Sequence, residues 1–492
     1  MTRLTDRLAD PDLVQLRKLS GARAMFGEAN TSLWHDTVRD LPALPRPGAL
    51  PKAVDIAIVG GGLTGLWTAY YVKALNPNAA VALFEANHIA FGASGRAGGW
   101  AIATLDGQAS WVEGLAAADA QRAVACVTGV LDEMERVIAS EHIACGYHRG
   151  GMVRIAARDE SQAHVLAKYK KMICAENGAP DPAVALDSDA VTDAASIHEA
   201  YAGVAFPHCA VVNPAKLAWG LAHAVARRGV MIFEGCRALD WDGNALVTEV
   251  GRVEAGMLVP ALEGYSGTLP VTNERVIPVY SHVIATEPLS ANLRASLGLS
   301  DRQAFADCSR ISTYGQITED DRVVFGALAS YPYAGRLDHL SPSHVRAQYE
   351  LVHATLVRLW PQLAEVTITH AWSGALGVPR AFRPALIEDR ARRIVWGGGY
   401  TSRGIAASNL FGRTIAEILC GHETDRTRCP WVQRGSALER ALPTWEPDPT
   451  RWLAIAAITA PGRMQESVLQ SALPAPLRRG LARLLDAIPS AR

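Results

Sequence analysis

The sequence lacks a long apolar run, an ordered cysteine pattern and an excess of charge of either sign. Its 492 residues include 48 Lys and Arg against 49 Asp and Glu, so the formal net charge is -1. Nucleic acid is therefore not an expected partner, because it is bound by clustered positive charge. No apolar run is long enough to cross a bilayer, and residues 1–20 lack the apolar core of a secretory signal.

The eight cysteines are scattered, with no CxxC pair and no spacing typical of metal ligands. We therefore expect no bound metal and a reduced, cytoplasmic location. The hydrophobic share of 49% and the charged share of 20% are those of an ordinary globular protein. A chain of this length predicts two or more lobes.

A glycine-rich turn stands between an apolar strand pattern and a helical pattern. The strand DIAIVG runs into GGLTG, the segment LWTAYYVKAL has helical spacing, and AVALFE is typical of a second buried strand. This order predicts a βαβ unit with a parallel sheet. Within it, Gly60, Gly62 and Gly65 form GxGxxG, which permits a tight turn, close backbone approach to a pyrophosphate and close packing of helix on strand. The phosphates are expected at the helix N-terminus, where free N–H groups favour negative charge.

An acid completes this pattern. Glu85 ends the second strand, 20 residues after the third glycine. A carboxylate there accepts hydrogen bonds from ribose hydroxyls and disfavours a 2′-phosphate. The alternative, a structural glycine turn with an incidental glutamate, does not explain why strand, helix and acid occur together.

A second loop follows directly, AFGASGRAGGW at residues 90–100, here called the Gly/Ser/Arg loop. Ser94 and Arg96 offer hydroxyl and guanidinium donors, and the glycines let the backbone approach a ligand closely. NAD-binding proteins have no general need for such a loop, so it favours a longer cofactor. The loop contains neither histidine nor cysteine.

Three motifs together resemble the D-amino-acid-oxidase-like (DAO) family of FAD-dependent oxidoreductases, and most closely its gamma-glutamylputrescine oxidase group. They are DIAIVGGGLTGLWTAYYVKAL, ALFEANHIAFGASGRAGGW and IVWGGGYTSRGIAASNLFGRTIAEIL. The resemblance covers most of residues 30–425. It implies an α/β fold with a Rossmann-like FAD-binding domain of the glutathione-reductase type, and an α+β substrate lobe built on an antiparallel sheet.

The element pattern and the resemblance together predict four parts of the chain. They are an N-terminal arm (1–52), a discontinuous FAD-binding domain (53–105, 205–266 and 365–425), a substrate domain (106–204 and 267–364) and a C-terminal extension (426–492). In the extension, Pro461 predicts a break, and PLRRGLARLLDAI predicts a basic amphipathic helix. Such a helix can lie on a membrane surface, but packing on its own protein is the favoured interpretation.

The resemblance assigns FAD contacts by position, and FAD is expected to be bound non-covalently because neither the loop nor the WSGALG segment offers a tethering residue. The expected contacts are Gly60, Gly62, Leu63, Thr64 and Gly65 for the pyrophosphate; Glu85 and Ala86 for the ribose; Ser94, Gly95, Arg96, Gly98, Gly99 and Trp100 for the flavin half; Val230 for adenine; and Gly399, Tyr400, Thr401, Ser402 and Gly404 for the pyrimidine edge. A positive helix end at the pyrimidine edge suits the negative charge of a reduced flavin.

The resemblance also implies chemistry: oxidation of a C–N bond in an amine or amino acid by hydride transfer to flavin, giving an imine that hydrolyses. The electrons then pass to oxygen or to another acceptor. The candidate substrate-pocket residues are aromatic or polar side chains on segments expected to face the flavin, namely Trp100, Tyr280, His282, Tyr314, Gln316, Trp372, Arg380 and Tyr400. For each of these, ordinary packing is the alternative interpretation.

Two departures from the family pattern bear on the substrate. Gln316 stands where relatives usually have an arginine, which puts a carboxylate clamp in doubt, and Pro260 and Glu263 stand where small residues are usual. Two other functions share the first motif: a flavin monooxygenase, or a binding protein that holds FAD structurally. The monooxygenase interpretation is weakened because the sequence has no Gly-Asp pair.

Overall fold

Two large β-sheets form the frame of the protein in the computed structural model. The structure describes residues 31–157, 162–177, 182–308, 313–335 and 342–469, together with positions 474, 477, 480, 481, 484 and 485.

Within these residues the strands are β1 Ala53–Val59, β2 Val81–Phe84, β3 Trp100–Ile102, β4 Met152–Ala157, β5 Val184–Leu186, β6 Ala200–Phe206, β7 Cys209–Val211, β8 Met231–Phe233, β9 Ala238–Trp241, β10 Ala245–Thr248, β11 Gly251–Pro260, β12 Val276–Thr286, β13 Ala304–Asp307, β14 Thr313–Ile317, β15 Val323–Ser330, β16 Ile368–Pro379, β17 Ala385–Asp389, β18 Ile394–Gly398 and β19 Val432–Arg434.

The α-helices are α1 Leu33–Asp36, α2 Leu63–Leu75, α3 Gln108–Val112, α4 Ala117–Thr128, α5 Val130–Ser140, α6 Gln162–Asn177, α7 Ser188–Ala195, α8 Pro214–Arg227, α9 Ala291–Ser296, α10 Pro342–Leu359, α11 Gly404–Leu419, α12 Leu438–Ala441 and α13 Thr450–Leu469.

The first sheet has nine strands and contains the predicted βαβ unit. Its path is β19-β17-β18-β11-β1-β2-β8; β10 pairs antiparallel with β11, and β9 pairs antiparallel with β10. β1 pairs in parallel with both β2 and β11. All four residues of β2 are buried, as expected for a strand covered on both faces. This arrangement confirms the predicted Rossmann-like α/β architecture.

The second sheet has eight strands in the order β16-β12-β15-β14-β13-β4-β6-β5. Its pairs are antiparallel except for β13 with β4. The long strands β12 and β16 pair from Val276 opposite Pro379 to Thr286 opposite Ile368. An antiparallel sheet of this kind is the one expected for the substrate lobe.

The division of the chain into domains stays a prediction, but two strands lie in sheets other than those its boundaries imply. β16 belongs to the eight-stranded sheet, although residues 365–425 were assigned to the FAD-binding part. β19 pairs with β17 in the nine-stranded sheet, although it lies within the predicted C-terminal extension. Both strands join their sheets through pairing with residues distant in sequence, which local patterns do not reveal.

The predicted break at Pro461 is wrong. α13 runs from Thr450 to Leu469 with Pro461 inside it. Proline removes one backbone donor but does not always end a helix, because neighbouring turns can continue past it. Most of the expected amphipathic helix at 476–488 lies outside the described residues; Leu477 and Leu484, which are described, are exposed.

The two helices that begin beside the predicted cofactor motifs, α2 and α11, pack closely. Asn409 Nδ2 donates a hydrogen bond to the Tyr71 hydroxyl at 2.9 Å. A Cβ added at Gly412 would lie 2.6 Å from Trp67 Cβ and 2.9 Å from Thr68 N. Glycine is therefore required where the helices meet, and this contact fixes the distance between the two cofactor motifs.

We expect Gly412→Ala to destabilise the protein by about 1–3 kcal/mol, because the added methyl group must force the helices apart. The measurement is urea unfolding. Gly48→Ala is the matched control: no atom lies within 4 Å of the added Cβ, so its effect should stay within about 0.5 kcal/mol. Equal stability of the two variants would contradict the close crossing.

Candidate cofactor-binding site

A cleft that is open in part to solvent lies at the carboxyl ends of β1 and β2. Ligands of open α/β sheets bind at this edge. The predicted contacts that line it are Gly60, Gly62, Leu63, Thr64, Glu85, Ala86 and Ser94. Leu262, Glu263, Tyr265 and Ala375 line other parts of the wall. Seven residues predicted from three separate stretches of sequence thus meet in one cleft.

The first turn of α2 is arranged for an anion. Its N-cap is Gly62, no side chain of the cap satisfies the free N–H groups, and the first turn contains no acid. A Cβ at Gly60 would lie 2.4 Å from Ala261 O, and a Cβ at Gly65 would lie 2.2 Å from Gly60 O. The glycines therefore let helix and strand approach, and the helix N-terminus opens into the cleft as a phosphate site requires.

Glu85 is fixed at the end of β2 by two backbone donors. Its Oε2 accepts from Gly61 N–H at 2.7 Å, and its Oε1 accepts from Asn87 N–H at 2.8 Å. Burial raises the pKa of this carboxyl, and the two N–H donors oppose the shift. A carboxylate oxygen has more than one lone pair, so Glu85 can also accept from ribose hydroxyls.

The Gly/Ser/Arg loop lies beside the start of α2. Ser94 Oγ accepts from Leu63 N–H at 2.8 Å, which joins the loop to the helix N-terminus. Arg96 Nε donates to Phe91 O at 2.9 Å, and its guanidinium lies over the Phe91 ring. Burial lowers the pKa of Arg96. Phe91 to Ser94 of the loop line the cleft, whereas Gly95, Arg96, Gly98, Gly99 and Trp100 are not among its lining residues.

Gly98 and Gly99 are required by their neighbours. A Cβ at Gly98 would lie 2.3 Å from the Tyr314 ring, and one at Gly99 would lie 1.8 Å from Gln316 Nε2. Gly99 also has a φ of +82°, which favours glycine. Trp100 begins β3, and its indole N–H donates to Gly315 O at 2.9 Å. The loop thus packs directly against β14 of the eight-stranded sheet.

The predicted adenine contact, Val230, precedes β8 and is buried, but it does not line the cleft. Its N–H donates to Val225 O at 3.1 Å. It lies one residue before a strand that pairs with β2, the strand that ends at Glu85. Its role in binding adenine stays a prediction.

The last predicted motif, from Gly399 to Gly404, forms the turn between β18 and α11. Thr64 Oγ1 donates to the Tyr400 hydroxyl at 3.1 Å, so this turn contacts the start of α2. Ser402 N–H and its hydroxyl donate to Asp106 Oδ2, each at 3.2 Å. Thr401 Oγ1 is buried and has no partner among the described residues. The contact of Thr401 with a cofactor stays a prediction.

Two of the candidate pocket residues support the backbone of the Gly/Ser/Arg loop. Gln316 is buried and its Nε2 donates to Gly98 O at 2.7 Å and to Val212 O at 3.3 Å. The Trp372 indole N–H donates to Arg96 O at 2.8 Å. Gln316 therefore supports the backbone of the loop through a hydrogen bond to the carbonyl of Gly98. A carboxylate clamp at this position is not part of the observed geometry.

His282 lies in a buried polar network. Its Nδ1 is 2.8 Å from Ser373 Oγ, its Nε2 is 2.9 Å from Ser330 Oγ, and the Tyr349 hydroxyl is 2.9 Å from Ser373 Oγ. Burial lowers the pKa of His282 to about 3, so the ring is neutral at ordinary pH. The network reaches the loop through Arg96, which donates to Ser373 O at 3.3 Å.

The remaining candidates have different surroundings. Tyr280 and Tyr400 are buried, and the Tyr314 hydroxyl contacts Ser281 Oγ. Burial raises the pKa of Tyr314 to about 12, so it is protonated. Arg380 is exposed and pairs with Glu446 at 2.8 Å. Their roles toward a substrate stay predictions.

The sequence interpretation missed residues from the N-terminal arm. Ser32, Trp34 and His35 all contact the Gly/Ser/Arg loop. The apolar pair Leu33–Trp34, preceded by a serine that caps α1, is the signal that distinguishes this segment from a linker.

No described helix combines the length and apolar character needed to span a bilayer. Within the described ranges, no group of three or more His, Cys, Asp or Glu side chains could hold a metal ion.

Comparisons with known proteins agree with this geometry. The chain is 27% identical over 402 residues to the probable oxidoreductase OrdL of Rhizobium meliloti (strain 1021), covering 80% of this chain and 89% of that protein. It is 29% identical over 375 residues to the gamma-glutamylputrescine oxidoreductase of Escherichia coli (strain K12), covering 75% and 84%. The solved glycine oxidase from Bacillus cereus ATCC 14579 has the same fold, with a TM-score of 0.60 at 19% identity over 76% of this chain and 96% of that one.

Residues 55–418 match the protein family described as FAD dependent oxidoreductase, DAO. The match covers most of the chain and confirms the resemblance drawn from the three motifs. This protein therefore belongs to the DAO family of FAD-dependent oxidoreductases.

Proposed function

We propose that this protein oxidises the C–N bond of an amine or amino acid and that the resulting imine is hydrolysed by water. The observation that carries the proposal is the convergence of the α2 N-terminus, Glu85 and the Gly/Ser/Arg loop on one cleft. The choice of an amine is supported by relatives named for gamma-glutamylputrescine and glycine. Bound FAD supplies the hydride acceptor.

The chain's own residues bind and orient the cofactor. The free N–H groups of the first turn of α2 would donate to the pyrophosphate, and Glu85 would accept from the ribose hydroxyls. The loop from Ser94 to Trp100 and the turn from Gly399 to Gly404 form the flavin end. Hydride transfer requires a neutral amine, and a buried, largely uncharged surrounding disfavours the ammonium form.

His282 contributes to that surrounding as a neutral group. Its two ring nitrogens each contact a serine hydroxyl, and burial keeps its pKa at about 3. It therefore does not add a positive charge that would repel an ammonium substrate on entry. We assign it a positioning role in the pocket wall. Oxygen or another carrier accepts the electrons, and we expect the enzyme to act in the cytoplasm.

Glu263 is a buried carboxyl in the wall of the same cleft. Its Oε1 accepts from Gly399 N–H at 2.8 Å. A Cβ at Gly377 would lie 2.3 Å from Glu263 Oε2, and a Cβ at Gly398 would lie 2.6 Å from Oε1, so two glycines make room for this side chain. Burial raises the pKa of Glu263 to about 8, and the backbone donors only partly oppose the shift. Below that pH, Glu263 is a neutral acid.

This shift predicts a pH dependence of stability. The folded protein binds one proton more than the unfolded chain between the ordinary glutamate pKa of 4.5 and about 8, so stability should fall as pH rises through this window. Glu263→Gln should remove most of that slope, because the amide stays neutral. Urea unfolding at several pH values measures the effect. Glu254→Gln, at an exposed position, should keep the slope, and an unchanged slope in Glu263→Gln would contradict the assignment.

The proposed reaction predicts that bound flavin is bleached anaerobically by at least one amine. The panel should include polyamines, N-methyl amino acids, D-amino acids and glycine. The readout is the absorbance of the bound oxidised flavin at about 450 nm. Admitting oxygen afterwards distinguishes an oxidase, which consumes oxygen as the colour returns, from a dehydrogenase. No bleaching across the whole panel would reject the proposed reaction.

We also expect non-covalent FAD. The Gly/Ser/Arg loop has no histidine or cysteine of its own. His35, a histidine from elsewhere that contacts the loop, has its Nε2 engaged with Ala90 O at 2.9 Å. Acid precipitation of the purified protein should leave the yellow colour in the supernatant. Colour retained in the washed pellet would show a covalent bond instead.

A further inference from the structure

The segment from Ser32 to His35 is bound to the Gly/Ser/Arg loop although about 60 residues separate them. Ser32 Oγ donates to Gly95 O at 2.6 Å, and the Trp34 indole N–H donates to Ala97 O at 2.7 Å. Ser32 is fully buried and Trp34 is 2% exposed. A buried carbonyl that loses its donor is left unpaired at a cost in free energy, so these two bonds constrain the loop.

His35 makes the third contact. Its Nε2 lies 2.9 Å from Ala90 O. Because a carbonyl can only accept, Nε2 must carry the proton. Burial lowers the pKa of His35 to about 4, so the ring is neutral and this tautomer persists at ordinary pH. A Cβ at Gly95 would lie 2.3 Å from His35 Nε2, so the histidine can reach Ala90 only because residue 95 is glycine.

The bonds to the loop carbonyls also fix the direction of the loop N–H groups. Trp34 donates to Ala97 O, and Gln316 donates to Gly98 O at 2.7 Å. These peptide bonds are trans, and in a planar trans peptide the N–H points opposite to the carbonyl. The N–H groups of Gly98 and Gly99 therefore point away from Trp34 and Gln316. Neither N–H has an acceptor among the described residues.

Trp34 is itself held in place. Its ring meets that of Trp372 edge to face at 6.3 Å between centroids. Leu33 and Trp34 pack in a buried cluster with Val283 and Val324 of the eight-stranded sheet. The donor to Ala97 O therefore belongs to the rigid interior, which is what orienting a glycine-rich loop requires.

We propose that Ser32, Trp34 and His35 are positioning residues of the cofactor site: they hold the Gly/Ser/Arg loop so that the N–H groups of Gly98 and Gly99 remain directed to the flavin half of FAD. The inference rests on the proposed function, because it requires this loop to face the flavin. The three residues lie outside residues 55–418, the part of the chain that matches the family.

The test is Trp34→Phe, which keeps an aromatic ring but removes the indole donor together with part of the ring volume. Apoprotein is titrated with FAD, and flavin fluorescence gives Kd. We expect Kd to rise on the order of five- to tenfold, with an altered visible circular dichroism of the bound flavin. The matched control is Trp241→Phe, which removes an indole donor to Arg392 O at 2.9 Å away from the loop; it should leave Kd and the dichroism unchanged.

Two further variants keep the outcomes distinct. Ser32→Ala removes the donor to Gly95 O with little change in volume, and it should also raise the Kd for FAD. If Trp34→Phe proves unstable, Ser32→Ala serves as the test in its place. Glu85→Ala tests the cleft itself and should weaken FAD binding. If Glu85→Ala weakens binding while Trp34→Phe and Ser32→Ala match the control, the positioning role is rejected and the proposed site stands. If Glu85→Ala also has no effect, both the site and the inference fail.

Discussion

Hydrogen bonds to the carbonyl groups of one glycine-rich loop determine how the cofactor end of this protein is built. Four consecutive carbonyls, from Gly95 to Gly98, accept from side chains outside the loop. The donors come from the N-terminal segment, from β14 and from β16. A loop rich in glycine loses much conformational entropy on folding, so its shape must be imposed by its surroundings. Here the side chains that impose the shape of the loop are buried, and they belong to the packed interior of the protein.

The same bonds connect the two sheets. The loop follows β2 of the nine-stranded sheet, whereas Gln316 and Trp372 belong to the eight-stranded sheet. The cleft is bounded by residues of both, since Ala375 of β16 lines it together with Glu85. A cofactor in this cleft would therefore contact residues of both sheets, through segments that the hydrogen bonds named above hold in place. The close crossing of α2 and α11 constrains the nine-stranded side in the same way.

Local patterns in the sequence predicted the parts of the fold that local physics determines. GxGxxG between a strand and a helix, and Glu85 after the second strand, were identifiable because each requirement acts within about 30 residues. The side chains that support the loop by hydrogen bonds could not be identified in this way. Gln316 and Gly98 are 218 residues apart, and Trp372 and Arg96 are 276 apart, so neither pairing leaves a periodic signal. Gln316 was interpreted as a pocket residue because only its residue type was visible. Residues 1–52 were assigned only as an N-terminal arm, because no local pattern relates Leu33 and Trp34 to a loop about 60 residues away.

Burial shifts three titratable side chains near the cleft and the Gly/Ser/Arg loop toward their neutral forms, which residue types alone do not reveal. A glutamate and two histidines suggest ionised groups, yet Glu263, His35 and His282 all have pKa values shifted toward their neutral forms by burial. Each is satisfied by hydrogen bonds to hydroxyls or backbone groups. Neutralising a buried group costs less free energy than burying it in its charged form, so the protein can bury these three polar side chains as neutral groups. For the proposed oxidation of a neutral amine, such neutral surroundings would favour the neutral form of the substrate over its ammonium form.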